Sequence, residues 1–206
     1  MDGDPPAAAL VDLAFPLQGR ALPRDHRAPL AAALAARLPW LGALPGSGMH
    51  RLKVVPGSGD LTWLPARTRL LLRVPRARAA EAAAALAGAT LVVQGQTLAL
   101  GPPVQRELLP HRTLYAAFVA APDDDELHFL AMVDDELRAL GVRCRPVCGR
   151  RQELPAAGGA VAGFSLMLDG LTPADALRVL EAGVGAHRAL GCGLFVPHKS
   201  AAAVGA

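Results

Sequence analysis

Cysteine is scarce in this 206-residue chain, which has only Cys144, Cys148 and Cys192. Three is an odd number and too few for a disulfide framework. Cys144 and Cys148 stand four apart with no second ligand pair, which argues against a zinc site. Small buried hydrophobes are the default reading of all three. Aromatic residues make up only 4% of the chain against 52% hydrophobic residues. A core must therefore come from Leu, Val and Ala, and wholesale disorder is excluded. Lysine is nearly missing: Lys53 and Lys199 are the two among 21 basic residues. The rest are arginines, whose planar fork suits phosphate oxygens; a GC-rich coding sequence, which also inflates Ala, Gly and Pro, explains the same bias. The net charge of +3 favours no partner by itself. No apolar run has the length of a membrane span, and the N-terminus carries Asp2 and Asp4 where a secretory signal is basic. These features predict a cytoplasmic protein without a membrane partner.

The pattern of elements is more informative. Val11, Leu13 and Phe15 alternate as a strand. Leu30, Leu34 and Leu38 mark a helix that Pro39 stops. His50–Val55 and Arg67–Val74 read as strands, Arg76–Ala87 as an alanine-rich helix closed by Gly88, and Leu91–Val93 with Thr97–Leu100 as a hairpin or bent strand. Gly101–Pro110 reads as a linker, after which the order begins again. Thr113–Ala120 is a strand and Asp124–Leu140 a helix with Leu127, Leu130, Val133, Leu137 and Leu140 along one face. Val142–Val147 and Gly163–Leu168 are strands. Thr172-Pro-Ala-Asp175 is a capping box opening a helix that Gly183 ends, and Leu194–Val196 is a last short strand. Each half thus has the order strand, helix, strand, strand, helix, strand. The expected class is α+β, with two tandem ferredoxin-like (βαββαβ) units over residues 1–104 and 105–206.

Between the last helix and the last strand lies a glycine-rich stretch running from Gly183 through Gly185, His187, Arg188 and Gly191 to Gly193. Glycines let a backbone approach a ligand closely and turn N–H groups toward phosphate oxygens. A dinucleotide fingerprint needs a strand before it and a helix after it, the reverse of what stands here, and no Gly-Lys-Ser/Thr marks a Walker loop. An ordinary helix-to-strand loop explains Gly183 as a C-cap but leaves the other glycines unaccounted for.

This stretch, continuing Leu194-Phe-Val-Pro197, resembles the C-terminal glycine-rich loop of the CRISPR-associated endoribonucleases that process precursor CRISPR RNA. Leu13-Ala-Phe-Pro-Leu17, Pro23-Arg-Asp-His26, Leu38-Pro-Trp-Leu41, Gly48-Met-His50 and Arg67-Thr-Arg-Leu70 resemble a compact type I branch of that tandem ferredoxin-like family. The resemblance implies a cut without metal or other cofactor, in which the 2′-hydroxyl beside the scissile bond attacks the phosphate. The products would carry a 2′,3′-cyclic phosphate and a 5′-hydroxyl. The substrate would be a CRISPR repeat RNA, often a stem-loop, and other subunits of a type I interference complex would be partners of those members that keep their product.

Such a cut needs a base, an acid and positive charge near the phosphate. Histidine suits either proton role. In the family the catalytic histidine sits around the first helix or just after it, which leaves His26, beside Arg24, Asp25 and Arg27, and His50, beside Arg51 and near Lys53. His26 is the favoured base, with Asp25 as a candidate to orient it and Arg24 or Arg27 to meet the phosphate. RNA contacts are expected from Arg24, Arg27, Gly183, Gly185, His187, Arg188, Gly191, Gly193 and Lys199. Arg67, Arg69 and Arg73 share one strand face that could track phosphates; a solvated strand face is the plain alternative. A magnesium site in the acidic run Asp123–Glu126 is not expected, since a helix start accounts for it. Two other readings keep the fold: a non-catalytic RNA-binding subunit of the same superfamily, and a ferredoxin-like enzyme or regulator of small metabolites.

Overall fold

The computed structural model describes residues 8–156 and 159–199; Asp2 and Asp4 lie outside them. The first half contains β1 (Leu10–Gln18), β2 (Ala21–Pro23), α1 (Arg27–Ala35), β3 (Gly48–Met49), β4 (Val55–Pro56), β5 (Leu61–Trp63) and β6 (Arg69–Pro75). It continues with α2 (Ala79–Leu86), β7 (Thr90–Val93), β8 (Gln96–Leu100) and β9 (Val104–Glu107). The second half contains β10 (Thr113–Ala120), α3 (Glu126–Ala139), β11 (Arg145–Ala156), β12 (Gly159–Asp169), α4 (Pro173–Ala182) and β13 (Val196–Pro197).

The alternation in β1 is realised as read: Val11, Leu13 and Phe15 are at most 2% exposed and face α1 and α2 across a core of Leu30, Leu34, Leu72 and Leu86. Burying each such side chain contributes about 1.5–3 kcal/mol. The sheet order is β3-β6-β1-β8-β7, with β1 and β6 antiparallel at the centre from Leu10↔Pro75 to Pro16↔Arg69. In the second half the order is β11-β12-β10-β13. In both sheets the first and third strands of the unit lie side by side, with the second and fourth outside them. That is the ferredoxin-like arrangement, built twice. A separate core of Leu114, Phe129, Val133, Leu166, Val179 and Phe195 fills the second unit. Thr172 caps α4 as expected: its hydroxyl accepts the Asp175 N–H at 3.2 Å and donates to the Asp175 carboxylate at 2.8 Å.

Four local expectations need correction. Between Met49 and Val55 the chain leaves the sheet, so His50–Val55 is not a continuous strand. The linker is partly a strand: β9 pairs antiparallel with β1 over Val11↔Glu107 to Ala14↔Val104, so a boundary drawn after residue 104 cuts through it. The buried stripe of α3 is Phe129, Val133 and Leu137, while Leu127 is 76% exposed. The helix starts two residues after Asp124, with Asp125 as N-cap, and Leu127, two positions before Phe129, falls on the face opposite the buried stripe. Finally, β11 and β12 form one long hairpin from Arg145↔Asp169 to Ala156↔Gly159, well beyond the two short strands expected. Pro155 is tolerated because β11 is the edge of its sheet.

Candidate active site and RNA interface

His26 stands immediately before the first residue of α1 and is only 6% exposed. Its Nδ1–H donates to the Pro23 carbonyl at 2.9 Å. A carbonyl can only accept, so this bond fixes the tautomer and leaves the Nε2 lone pair unprotonated. Burial pushes the imidazole pKa below its ordinary 6.5, the charges of Arg27 and Arg51 add to that, and the Pro23 and Arg24 carbonyls oppose it. Together these favour the neutral ring. The expected orienting carboxylate, Asp25, lines the same cavity, but the Pro23 carbonyl does the orienting.

That cavity, about 250 Å³, lies between the units. The first unit supplies Arg24, His26, Arg27 and Arg51; the second supplies Phe118 on β10 and Gln152 and Leu154 on β11. The Arg27 guanidinium lies 5.8 Å from the Phe118 ring centre. Its Nη1 is buried with no hydrogen-bond partner, and burial followed by the Arg51 charge lowers its pKa. A buried guanidinium nitrogen without an acceptor is costly. An anion entering the cavity would relieve that cost.

His50 is buried too, at 8% exposure, but it is occupied differently. Its Nε2 lies 3.3 Å from Asp12 Oδ1. Asp12 also takes the Arg73 fork, Nε to Oδ1 and Nη2 to Oδ2, both at 2.9 Å. Burial alone would raise the Asp12 pKa; the hydrogen bonds from His50 and Arg73 overcome it and hold the carboxyl well below its usual range. Burial likewise pushes His50 down, against its bond to Asp12. Arg73, expected as a phosphate contact, is instead engaged in this buried pair. The alternation that put it on the Arg69 face is correct, but the second unit covers that face at Arg73, which is 1% exposed, whereas Arg69 is open to solvent. The remaining Arg73 nitrogen, Nη1, donates across the units to the Leu180 and Phe195 carbonyls at 2.8 and 3.1 Å.

A second cavity of about 760 Å³ runs between the units on the other side of residues 50–54. Arg51, Lys53, Arg67, Arg69 and Arg106 line it, and among the described residues no acidic one does. Arg51 borders both cavities. Gly191 and half-buried Tyr115 also reach this wall, and the Tyr115 ring centre lies 5.6 Å from that of His198. Lys53 and Arg106 were not singled out from sequence as contacts; Arg106 was hidden because its segment read as a linker.

In the glycine-rich loop Gly183, Gly185, His187, Gly191 and Gly193 all have φ between +63° and +79°. Arg188 turns inward. Its Nε donates to the Ala182 carbonyl at 3.1 Å and its Nη1 to the Val184 and Gly193 carbonyls at 3.3 and 3.4 Å. Cys192 is fully buried, and burial pushes its thiol up to about 11, which keeps it unreactive at neutral pH. His187, at the mouth of the loop, and Lys199 are exposed. Among the described residues no group of three or more His, Cys, Asp or Glu is arranged to hold a metal ion, and no helix is long and apolar enough to cross a membrane.

These features coincide with a family match. The family model described as "Cas6 Crispr" covers residues 11–200. A curated relative, the CRISPR-associated endonuclease Cas6 of Myxococcus xanthus (strain DK1622), is 38% identical over 195 residues, 94% of this chain and 84% of that protein. Among solved structures, a CRISPR associated protein Cas6 superposes with a TM-score of 0.65 at 11% identity, covering 92% of this chain and 99% of that one. A Cas6-related protein from Pyrococcus furiosus gives the same TM-score and identity, covering 93% and 99%. A CRISPR endoribonuclease Cse3 bound to 19 nt RNA gives 0.55 at 16%, covering 94% and 100%. At these identities the structures show the shared tandem fold, while the family model and the Myxococcus relative establish kinship: this chain belongs to the Cas6 family.

Proposed function

We propose that this Cas6 protein cuts CRISPR repeat RNA in the cytoplasm without a metal ion, with His26 as the general base and a 2′-hydroxyl as the nucleophile. The observation that carries the reading is the state of His26: one ring nitrogen is tied to Pro23, and the other is an unprotonated lone pair beside a cavity that also holds Arg27 and Arg51. Nε2 takes the 2′-hydroxyl proton. The 2′-oxygen bonds to phosphorus as the bond to the 5′-oxygen breaks, and the departing oxygen takes a proton from solvent. Arg27 and Arg51 face the charge that grows on the phosphoryl oxygens, where fixed donors are worth most. The depressed pKa of His26 keeps the base form populated at neutral pH at some cost in base strength.

The arginine-lined cavity would take the backbone of RNA flanking the cut, with Arg51, Lys53, Arg67, Arg69 and Arg106 opposite phosphates, while Arg24 lines the His26 cavity and His187 and Lys199 offer exposed positive or polar groups elsewhere on the surface. His50 is set aside as base because its Nε2 already faces Asp12. The test uses two repeat RNAs in the presence of a chelator, one natural and one with a single 2′-deoxy nucleotide at the cut. Cleavage of the first alone is expected. Equal cleavage of both would remove the 2′-hydroxyl mechanism, and no cleavage of either would favour a non-catalytic RNA-binding member of the family.

A further inference from the structure

The glycine-rich loop invites a reading as a phosphate cradle, yet its own contacts point inward. Arg188 spends its guanidinium on the carbonyls of Ala182, Val184 and Gly193. Arg73, reaching in from β6 of the first unit, takes those of Leu180 and Phe195. Two guanidinium groups, one from each unit, therefore serve five carbonyls around the C-terminal end of α4, where the helix dipole concentrates negative charge.

The glycines have a matching explanation. A Cβ on Gly193 would lie 2.0 Å from the Val184 carbonyl oxygen, and one on Gly183 would lie 2.5 Å from that of Gly193. Across the interface, a Cβ on Gly48 would lie 2.5 Å from the Arg188 carbonyl oxygen, and one on Gly46 1.9 Å from that of Glu181. A Cβ on Gly191 would meet the Met49 carbonyl oxygen at 3.1 Å and the Arg51 nitrogen at 3.3 Å. Residues 46–51 of the first unit thus lie backbone against backbone on residues 181–191 of the second. The segment so seated ends in Arg51, the residue that borders both cavities.

We infer that Arg188 and the glycines around it form an internal clamp that sets Arg51 and the His26 cavity against the second unit, so that Arg188 is a positioning residue and not an RNA ligand. The inference rests on the proposed cleavage reaction for its effect on rate, but its claim about phosphate contact stands apart from it. A displacement of about 1 Å in a catalytic group can cost on the order of 100-fold in rate. By contrast, removing a residue that contacts no phosphate leaves the salt dependence of RNA binding unchanged.

The experiment uses the full chain with Arg188→Gln, Arg188→Lys, and Arg69→Ala as a phosphate-contact control. Binding to 2′-deoxy repeat RNA is measured across a salt series, and single-turnover cleavage is measured with the natural RNA. For Arg188→Gln the expected result is a wild-type salt slope, an affinity within about threefold and a cleavage rate at least about tenfold lower. Arg188→Lys keeps the charge but loses the planar fork, so its rate should fall as well. A slope reduced by about 0.7, as for one lost contact to a single strand, would overturn the inference. So would full rescue by lysine or an unchanged rate in Arg188→Gln. If Arg188→Gln does not fold, Gly48→Ala tests the positioning claim: it crowds the clamp and removes no charge, so a cleavage rate lowered at an unchanged affinity is expected, and an unchanged rate would overturn the inference. If the wild type does not cut, the cleavage reading fails, and the slope still decides whether Arg188 touches phosphate.

Discussion

His26 and His50 are both nearly sealed from solvent, and burial favours the neutral form of each. They differ in what their second nitrogen meets. His26 gives Nδ1 to a main-chain carbonyl, which leaves Nε2 without that bond, and it lines a cavity that also holds the partnerless Nη1 of Arg27. His50 gives Nε2 to a carboxylate that is itself fully engaged by Arg73, and that arginine stitches the two units together. Proximity to arginine therefore says little about a histidine's role. What matters is whether the arginine already has its acceptors. Arg73 has four such bonds, and Arg27 Nη1 has none.

Several changes would break or sharpen this contrast. The largest effect is expected on the His50 side. Arg73→Ala strands the buried Asp12 carboxylate and frees two carbonyls, and should cost about 3–5 kcal/mol in urea unfolding. A loss under about 1 kcal/mol would mean that the network is not what joins the units. On the His26 side, Arg27→Met should cut single-turnover cleavage by about 10²–10³-fold, as when one transition-state donor is removed. It should do so without loss of stability, because the lost nitrogen had no partner. A variant that is destabilised yet fully active would reverse the roles assigned to the two arginines. Arg69→Ala should leave the cleavage step intact at saturation and lower the salt slope of RNA binding by about 0.7. An unchanged slope would take Arg69 out of the RNA path.

The smallest effect concerns pH. Both histidines have folded pKa values below 6.5, so between the two values the unfolded chain binds more protons than the folded one. Their contribution to stability is full above pH 6.5 and declines as pH falls below it, by at most about 1.4 kcal/mol per pH unit for each histidine. Urea midpoints measured from pH 7.5 to 5 check this, and His26→Gln should remove about half of the slope. A profile flat over that range would mean that the rings are not buried neutral.

Much of this was legible in the residues. The tandem βαββαβ order followed from hydrophobic period and helix punctuation, because Leu30 and Leu34, Val11 and Phe15, and Thr172 with Gly183 each obey a local rule that the tertiary structure leaves in place. The long β11–β12 hairpin was not legible. Its outer half, Gly149 to Pro155, is polar and proline-bearing, and only its place at a sheet edge makes it a strand. At the site, the proposal of His26 and its arginines starts from the resemblance. The burial of Arg73 could not be read, since β-alternation gives the face a residue occupies but not what later covers it. Asp12 was passed over for the same reason: on a strand it reads as an outward polar position, and it becomes a buried carboxylate only when the second unit closes over β1.

The most direct test of the account is single-turnover cleavage of repeat RNA, with protein in excess and a chelator present, by His26→Ala and His50→Gln side by side. His26→Ala should lose about 10²–10⁴-fold in rate while binding RNA as the wild type does, the usual contribution of a positioned base. His50→Gln, which keeps a donor for Asp12, should retain activity within about tenfold at a lower unfolding midpoint. Wild-type cleavage by His26→Ala, or a rate lost only in His50→Gln, would contradict the account.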